Sequence, residues 1–132
     1  GVSVDLVVRS ICTIKPGVKG LSENINVYSI VDRYLEHSRM FYFRNGEKEE
    51  AEGMMYIGSA DLMYRNLTNR VEVLTPIEDK DAKREFLKIM NIYLESDNQT
   101  WKMNPNGTFT RFNNKVTPSQ KVLNQFYVKQ NS

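Results

Sequence analysis

The chain has 132 residues, 40% hydrophobic and 26% charged, with a formal net charge of +2, the composition of an ordinary globular domain with one real core. A charge this small gives no electrostatic case for nucleic acid or a membrane surface, and no apolar run approaches the ~20 residues that cross a bilayer. Cys12 is the only cysteine, which excludes an internal disulfide and fits a reducing cytoplasm.

In chain order, the sequence opens Gly1-Val2-Ser3-Val4 without an initiator methionine, and is read as a piece of a longer polypeptide with no signal-peptide pattern. Residues 3–12 are rich in β-branched side chains and predict a strand buried on both faces through Leu6, Val7 and Val8. Ile14 to Asn24 reads as a loop, broken by Pro16-Gly17, Gly20 and Ser22. Ile25–Val31 and Arg39–Phe43 are the second and third strands, the latter stopped by Asn45-Gly46. The charged stretch Glu47–Gly53 predicts a solvated turn. Met54–Ile57 and Arg70–Leu74 predict two further strands around the segment from Ser59 to Asn66.

The period then changes. Ala82, Phe86, Ile89, Met90, Tyr93 and Leu94 recur at steps of three and four, the apolar face of a helix. Asp79 suits its N-cap, and Asp81 the positive end of its dipole. Trp101-Lys102-Met103 and Thr108-Phe109-Thr110 flank Asn104-Pro105-Asn106-Gly107, a hairpin signal. Thr117-Pro118-Ser119-Gln120 has the form of a capping box, ahead of an apolar stripe of Val122, Leu123, Phe126 and Tyr127. The Asn-x-Thr triplets at Asn66, Asn98 and Asn106 are read as unglycosylated.

Chemistry concentrates around His37, the one histidine, set among Arg33, Glu36 and Arg39. Histidine titrates near neutral pH and moves protons or carries a phosphoryl group, while arginine grips phosphate with a planar fork. A lone histidine is also commonly a packing or surface residue. No second histidine and no cysteine at ligand spacing point to a metal, and no Gly-x-Ser-x-Gly elbow supplies a nucleophilic serine. Arg9 falls at the end of the first strand, where α/β sheets place ligands, and is a candidate anion contact. The glycines at 17 and 20 would let loop amides approach a phosphate, though they match no Walker motif.

Taken in order, Val8-Arg9-Ser10-Ile11-Cys12, Pro16-Gly17, Gly20 to Ile25, Ser29 to Arg39, Tyr56 to Asp61, Arg65-Asn66, Arg70 to Val73, Pro76-Ile77 and the hairpin from Trp101 to Arg111 resemble the C-terminal domain of bacterial polyphosphate kinase over nearly the whole chain. The resemblance implies an α/β class, a phospholipase D-like α/β/α sandwich with a mixed sheet, and one domain over 1–132 cut from a larger enzyme. It implies reversible transfer of the terminal phosphate of ATP to polyphosphate, with Mg2+ held mainly outside this chain. The phosphorylated histidine would lie in an upstream domain. By the same resemblance, His37 is the second active-site histidine and contacts nucleotide phosphates, Arg9 contacts ATP, and Arg39, Asp61 and Arg65 orient or extend the site. The implied partners are ATP, ADP, polyphosphate, the upstream domains and further copies in a homo-oligomer, but no nucleic acid. The implied location is the cytoplasm, with membrane association of the full enzyme left open.

The chain departs from the family pattern at Ser10, where glycine is usual, at Leu62, where tryptophan is frequent, and in a longer connection from Asn45 to Met54. Two alternatives remain. A phospholipase D-type phosphodiesterase half-site would carry His-x-Lys with an aspartate five residues further on; here Arg39 and Arg44 occupy those places. A non-catalytic polyanion-binding module is the other.

Overall fold

The structure, a computed structural model, describes residues 1–95, 99–112 and 117–130, so the Asn98 triplet lies outside the described residues. In chain order the elements are β1 (Val4–Val7), β2 (Ile25–Ile30), β3 (Met40–Phe43), a 3-10 turn at Glu50–Glu52, β4 (Met54–Gly58), α1 (Tyr64–Asn69), β5 (Leu74–Pro76), α2 (Lys80–Glu95), β6 (Thr100–Met103), β7 (Phe109–Phe112) and α3 (Ser119–Gln130). The α/β class expected from the sequence holds. The chain divides into two compact units, one of Gly1–Glu36 with Ile89–Ser132 and one of His37–Lys88.

The first unit is built on a four-stranded mixed sheet in the order β1-β2-β6-β7. β1 and β2 run parallel, with Val4 opposite Ile25 and Val7 opposite Tyr28, and the remaining pairs are antiparallel. The apolar side chains of β2 make the core: Val27, Tyr28 and Ile30 are buried, as is Tyr93 of α2. β1 corrects an expectation. It has four residues rather than ten, and alternates half-buried with exposed. Burial on both faces needs a layer packed against each face of the sheet, and the alternation shows that one face of β1 is open.

The second unit carries a three-stranded antiparallel sheet, β3-β4-β5, with Met40 opposite Ile57 and Gly58 opposite Leu74. Met55, Ala51 and Leu87 are its buried apolar residues. Glu47 to Glu50 are exposed as expected, but Ala51 and Gly53 behind them are buried, so the connection is tucked in at its end. Lys83 on α2 donates to the carbonyl of Gly53 at 2.8 Å. The strand expected at Arg70–Leu74 forms later, at Leu74–Pro76. Glu72, as described below, is engaged by side chains instead, which draws residues 70–73 off the ladder.

The helix α2 begins as the sequence predicts, with the Ala82 N–H donating to Asp79 Oδ1 at 2.8 Å. Its half-buried or buried residues include Ala82, Phe86, Leu87, Ile89, Met90, Tyr93 and Leu94, while Lys80, Asp81, Arg84, Lys88, Asn91 and Glu95 are exposed, the stripe that a period of 3.6 requires. The hairpin between β6 and β7 closes at Gly107, φ +83°, with Asn104 donating to the hydroxyls of Thr108 and Thr110. At α3 the Val122 N–H donates to the Pro118 carbonyl at 3.0 Å. The capping-box role of Gln120 is not what its side chain does. Its amide is engaged with Tyr34 and Glu36, more than eighty residues away, because those groups satisfy both ends of the amide at once.

Candidate functional site

In the first unit, the parallel strands β1 and β2 both end toward segments that carry polar chemistry. β1 stops at Val7, the Val8 N–H still bonds the Tyr28 carbonyl at 2.8 Å, and Arg9 follows, exposed. β2 stops at Ile30 and leads into residues 31–36. Arg9 Nη1 donates to the carbonyl of Glu36 at 3.2 Å. A guanidinium has five N–H donors, so this contact leaves most of them for a ligand. The placement beyond the carboxyl ends of adjacent parallel strands is where α/β sheets bind ligands.

The segment before His37 is held by side chains from two helices. Gln120 of α3 accepts from the Tyr34 N–H at 2.8 Å and donates to the Tyr34 carbonyl at 2.7 Å. The same amide donates to Glu36 Oε1 at 2.6 Å. Tyr93 of α2 donates to Glu36 Oε2 at 2.7 Å. Burial, followed by the hydrogen bond to Glu36, pushes the Tyr93 hydroxyl well above its ordinary 10.0, so it stays a donor at all physiological pH. The glycine loop does not offer the amides that its sequence suggested. Those of Gly17, Val18, Gly20, Leu21 and Ser22 all bond within the loop, to Val18, Ser22 or Glu23.

In the second unit, Arg39 organises the site. Its Nε donates to Asp61 Oδ1 at 3.0 Å, and Nη2 lies 3.0 Å from the same oxygen. Nη1 donates to the His37 carbonyl at 2.8 Å and lies 2.8 Å from ring Nδ1 and 3.3 Å from Nε2. The Arg39 side chain is 16% exposed and Asp61 30%, while His37 is exposed. When Arg39 donates to Nδ1, the ring proton sits on Nε2, the tautomer able to give a hydrogen bond to an incoming oxygen. Arg39 therefore works as a brace between Asp61 and His37, with nearly all its donors committed.

Behind this brace, Ser59, Asn66 and Glu72 lock the segment after β4. Ser59 Oγ donates to Glu72 Oε2 and accepts from the Val73 N–H at 3.1 Å, and Asn66 donates to Glu72 Oε1 at 2.9 Å. The hydrogen bonds from Ser59 and Asn66, then the charges of Arg70 and Arg39, hold the Glu72 carboxyl below its ordinary 4.5. A Cβ on Gly58 would sit 2.7 Å from the Val73 carbonyl oxygen, so only glycine allows this close turn. Asn66, 2% exposed, keeps its Oδ1 without a hydrogen bond among the described residues.

The model of the polyphosphate kinase C-terminal domain 2 family matches residues 1–125. The chain belongs to that family. It is 48% identical over 125 residues to the polyphosphate kinase of Synechocystis, covering 95% of this chain and 16% of that protein. It is 47% identical over 126 residues to polyphosphate kinase 1 of Chlorobaculum tepidum, covering 93% of this chain and 18% of that protein. The crystal structure of polyphosphate kinase from Porphyromonas gingivalis superposes with a TM-score of 0.89 at 34% identity, over 98% of this chain and 20% of that one. The chain thus spans a fifth or less of the length of these relatives, and shares its phospholipase D-like α/β fold with the polyphosphate kinase structure.

As a polyphosphate kinase domain, it distributes its five sequence candidates unevenly. His37, Arg39 and Asp61 form one hydrogen-bonded network. Arg9 stands in the other unit, bonded to Glu36. Arg65 is exposed on α1, and its side chain makes no hydrogen bond or ion pair among the described residues. Tyr93, Gln120 and Glu72 were not singled out from the sequence. Tyr93 and Gln120 looked like a helix-face residue and a capping residue, and Glu72 like a strand residue. Among the described residues no group of three His, Cys, Asp or Glu side chains is arranged to hold a metal ion. No described helix is long and apolar enough to cross a membrane.

Proposed function

We propose that this chain is the C-terminal catalytic domain of a polyphosphate kinase whose full protein moves the terminal phosphate of ATP to polyphosphate, reversibly, through a phosphohistidine on a domain upstream. One observation supports it most: Arg39, fixed on Asp61, holds His37 by both its carbonyl and its ring. Phosphoryl transfer depends on positioned charge more than on covalent help. A braced histidine offering Nε2–H to a phosphate oxygen supplies that as a fixed hydrogen-bond donor; acting as general acid it starts from the imidazolium, loses Nε2–H to the leaving oxygen and ends as the neutral ring. Arg9, with most of its donors uncommitted, grips phosphate oxygens of ATP. Asp61 orients Arg39, and Arg65 extends the cationic surface. In this reading the partners are ATP, ADP, polyphosphate, the upstream domains and further copies of the protein in the cytoplasm. Magnesium, where the full enzyme uses it, is held by groups outside this chain.

The phosphodiesterase alternative loses support at Arg44. In the place of that family's aspartate, Arg44 donates to the carbonyls of Glu47 and Lys48 and pairs with Glu50, so it ties a turn.

The test is ATP-dependent polyphosphate synthesis by the full-length protein. His37→Ala is expected to abolish it, by at least the roughly 10²- to 10⁴-fold of a lost general acid, while the 132-residue chain alone is expected to be inactive. Near-normal turnover by His37→Ala, or synthesis by the isolated chain, would defeat the assignment. Tight polyphosphate binding unaffected by replacing either His37 or Arg9 would favour the polyanion-binding module instead.

A further inference from the structure

The clamp on Glu36 stands apart from the His37–Arg39–Asp61 network and has no role in the activity proposed so far. Residues 34–36 are not held by packing. Tyr34 is 60% exposed and Leu35 72%, so little apolar burial fixes this stretch. Polar contacts do so instead. Gln120 pairs with the main chain of Tyr34 in both directions, as a neighbouring strand would. The Glu36 carboxylate is held at one oxygen by Gln120 and at the other by Tyr93. Hydrogen bonds to an ionised acceptor are the stronger kind, and these come from two different helices. The carbonyl of the same residue then receives Arg9 Nη1.

We infer that Glu36 is a positioning residue for Arg9, its carbonyl fixing the guanidinium for an anionic ligand while Tyr93 and Gln120 fix Glu36. An exposed arginine otherwise samples many rotamers. A fixed acceptor at Nη1 restricts that search and leaves the remaining N–H groups for a phosphate, so less ordering remains when the ligand arrives. The inference rests on the reading of Arg9 as the ATP contact, and extends it by naming what aims that arginine. The chain reaches this arrangement only because α2 and α3 bring a phenol and an amide to one carboxylate.

The experiment uses the full-length protein and reads KM for ATP and kcat in polyphosphate synthesis. Arg9→Ala is measured first; if it leaves KM for ATP unchanged, the reading of Arg9 as the ATP contact fails and the inference fails with it. Glu36→Ala is expected to raise KM roughly tenfold, the effect of about one hydrogen bond, with kcat changed less than about threefold. On the Arg9→Ala background, Glu36→Ala is expected to add nothing, because its effect passes through Arg9. Glu36→Gln is expected to restore KM, since its carbonyl oxygen still meets Gln120 and its amide can donate to Tyr93 Oη. Effects of Glu36→Ala and Arg9→Ala that multiply, or a Glu36→Gln variant as impaired as Glu36→Ala, would overturn the inference. Should Glu36→Ala fail to fold, Tyr93→Phe deletes one hydroxyl and carries the same test. A KM raised about two- to threefold, only when Arg9 is present, supports the clamp; an unchanged KM defeats it.

Discussion

Arg9 and Arg39 are the same residue in two opposite situations. Arg39 is largely buried, its guanidinium committed to Asp61, to the His37 carbonyl and to the His37 ring. Arg9 is exposed, and one backbone carbonyl is the partner it has among the described residues. The first is an internal brace, and the second is a donor set waiting for an anion. Residue type gives both the same fork of N–H groups. What separates them is how many of those groups the fold has already satisfied.

The largest expected effect breaks this comparison at Arg39. Arg39→Ala leaves the partly buried Asp61 without its partner, which costs about 1–3 kcal/mol. Hydrogen exchange in the full-length protein should show it as roughly ten- to hundredfold faster exchange of the Gly58 amide, which bonds the Arg39 carbonyl. Arg9→Ala, at an exposed site, should leave exchange unchanged within about 0.5 kcal/mol while weakening ATP use. Equal exchange effects from the two variants would erase the distinction.

A smaller effect sharpens it at Glu72. Its carboxyl is held below 4.5 by Ser59 and Asn66, then by Arg70 and Arg39. A group depressed in the folded state contributes stability fully present above its unfolded value and lost as pH falls through its folded one. Relative to Glu72→Gln, the wild type should therefore protect the Val73 amide better at neutral pH. That advantage should shrink once the pH drops below 4.5, and an advantage that grew with acid would reverse the sign argued here.

The smallest effect is at the exposed pair of Lys80 and Glu52. Here the hydrogen bond and charge of Lys80 lower the Glu52 carboxyl, yet water screens both groups. Lys80→Ala should change exchange in the second unit by less than about twofold. A change as large as that of Arg39→Ala would mean that solvent exposure does not separate a brace from a surface contact.

Much of this molecule is legible in its sequence because local rules act alone there. The period of Ala82 to Leu94 and the Asp79 cap place α2, since both depend on neighbours within one or two turns. The alternation and turn residues place β2, β3, β4 and the hairpin of β6 and β7 for the same reason. Where a partner is distant, the sequence misleads. Arg70 to Val73 look like a strand, but Glu72 answers to Ser59 and Asn66. Gln120 looks like a capping residue, but its amide pairs with Tyr34 and Glu36. β1 looks buried on both faces, but its alternating exposure shows that one face is open.

The sequence by itself determined the family, the α/β class and the presence of Arg9, His37, Arg39 and Asp61, because motif order and hydrophobic period are written in one dimension. Which arginine is braced and which has donors to offer was decided only by the tertiary structure. That choice depends on the Glu36 carbonyl and the Asp61 carboxylate, from distant positions, arriving within 3.2 Å of a guanidinium nitrogen, and no spacing along the chain encodes such an arrival.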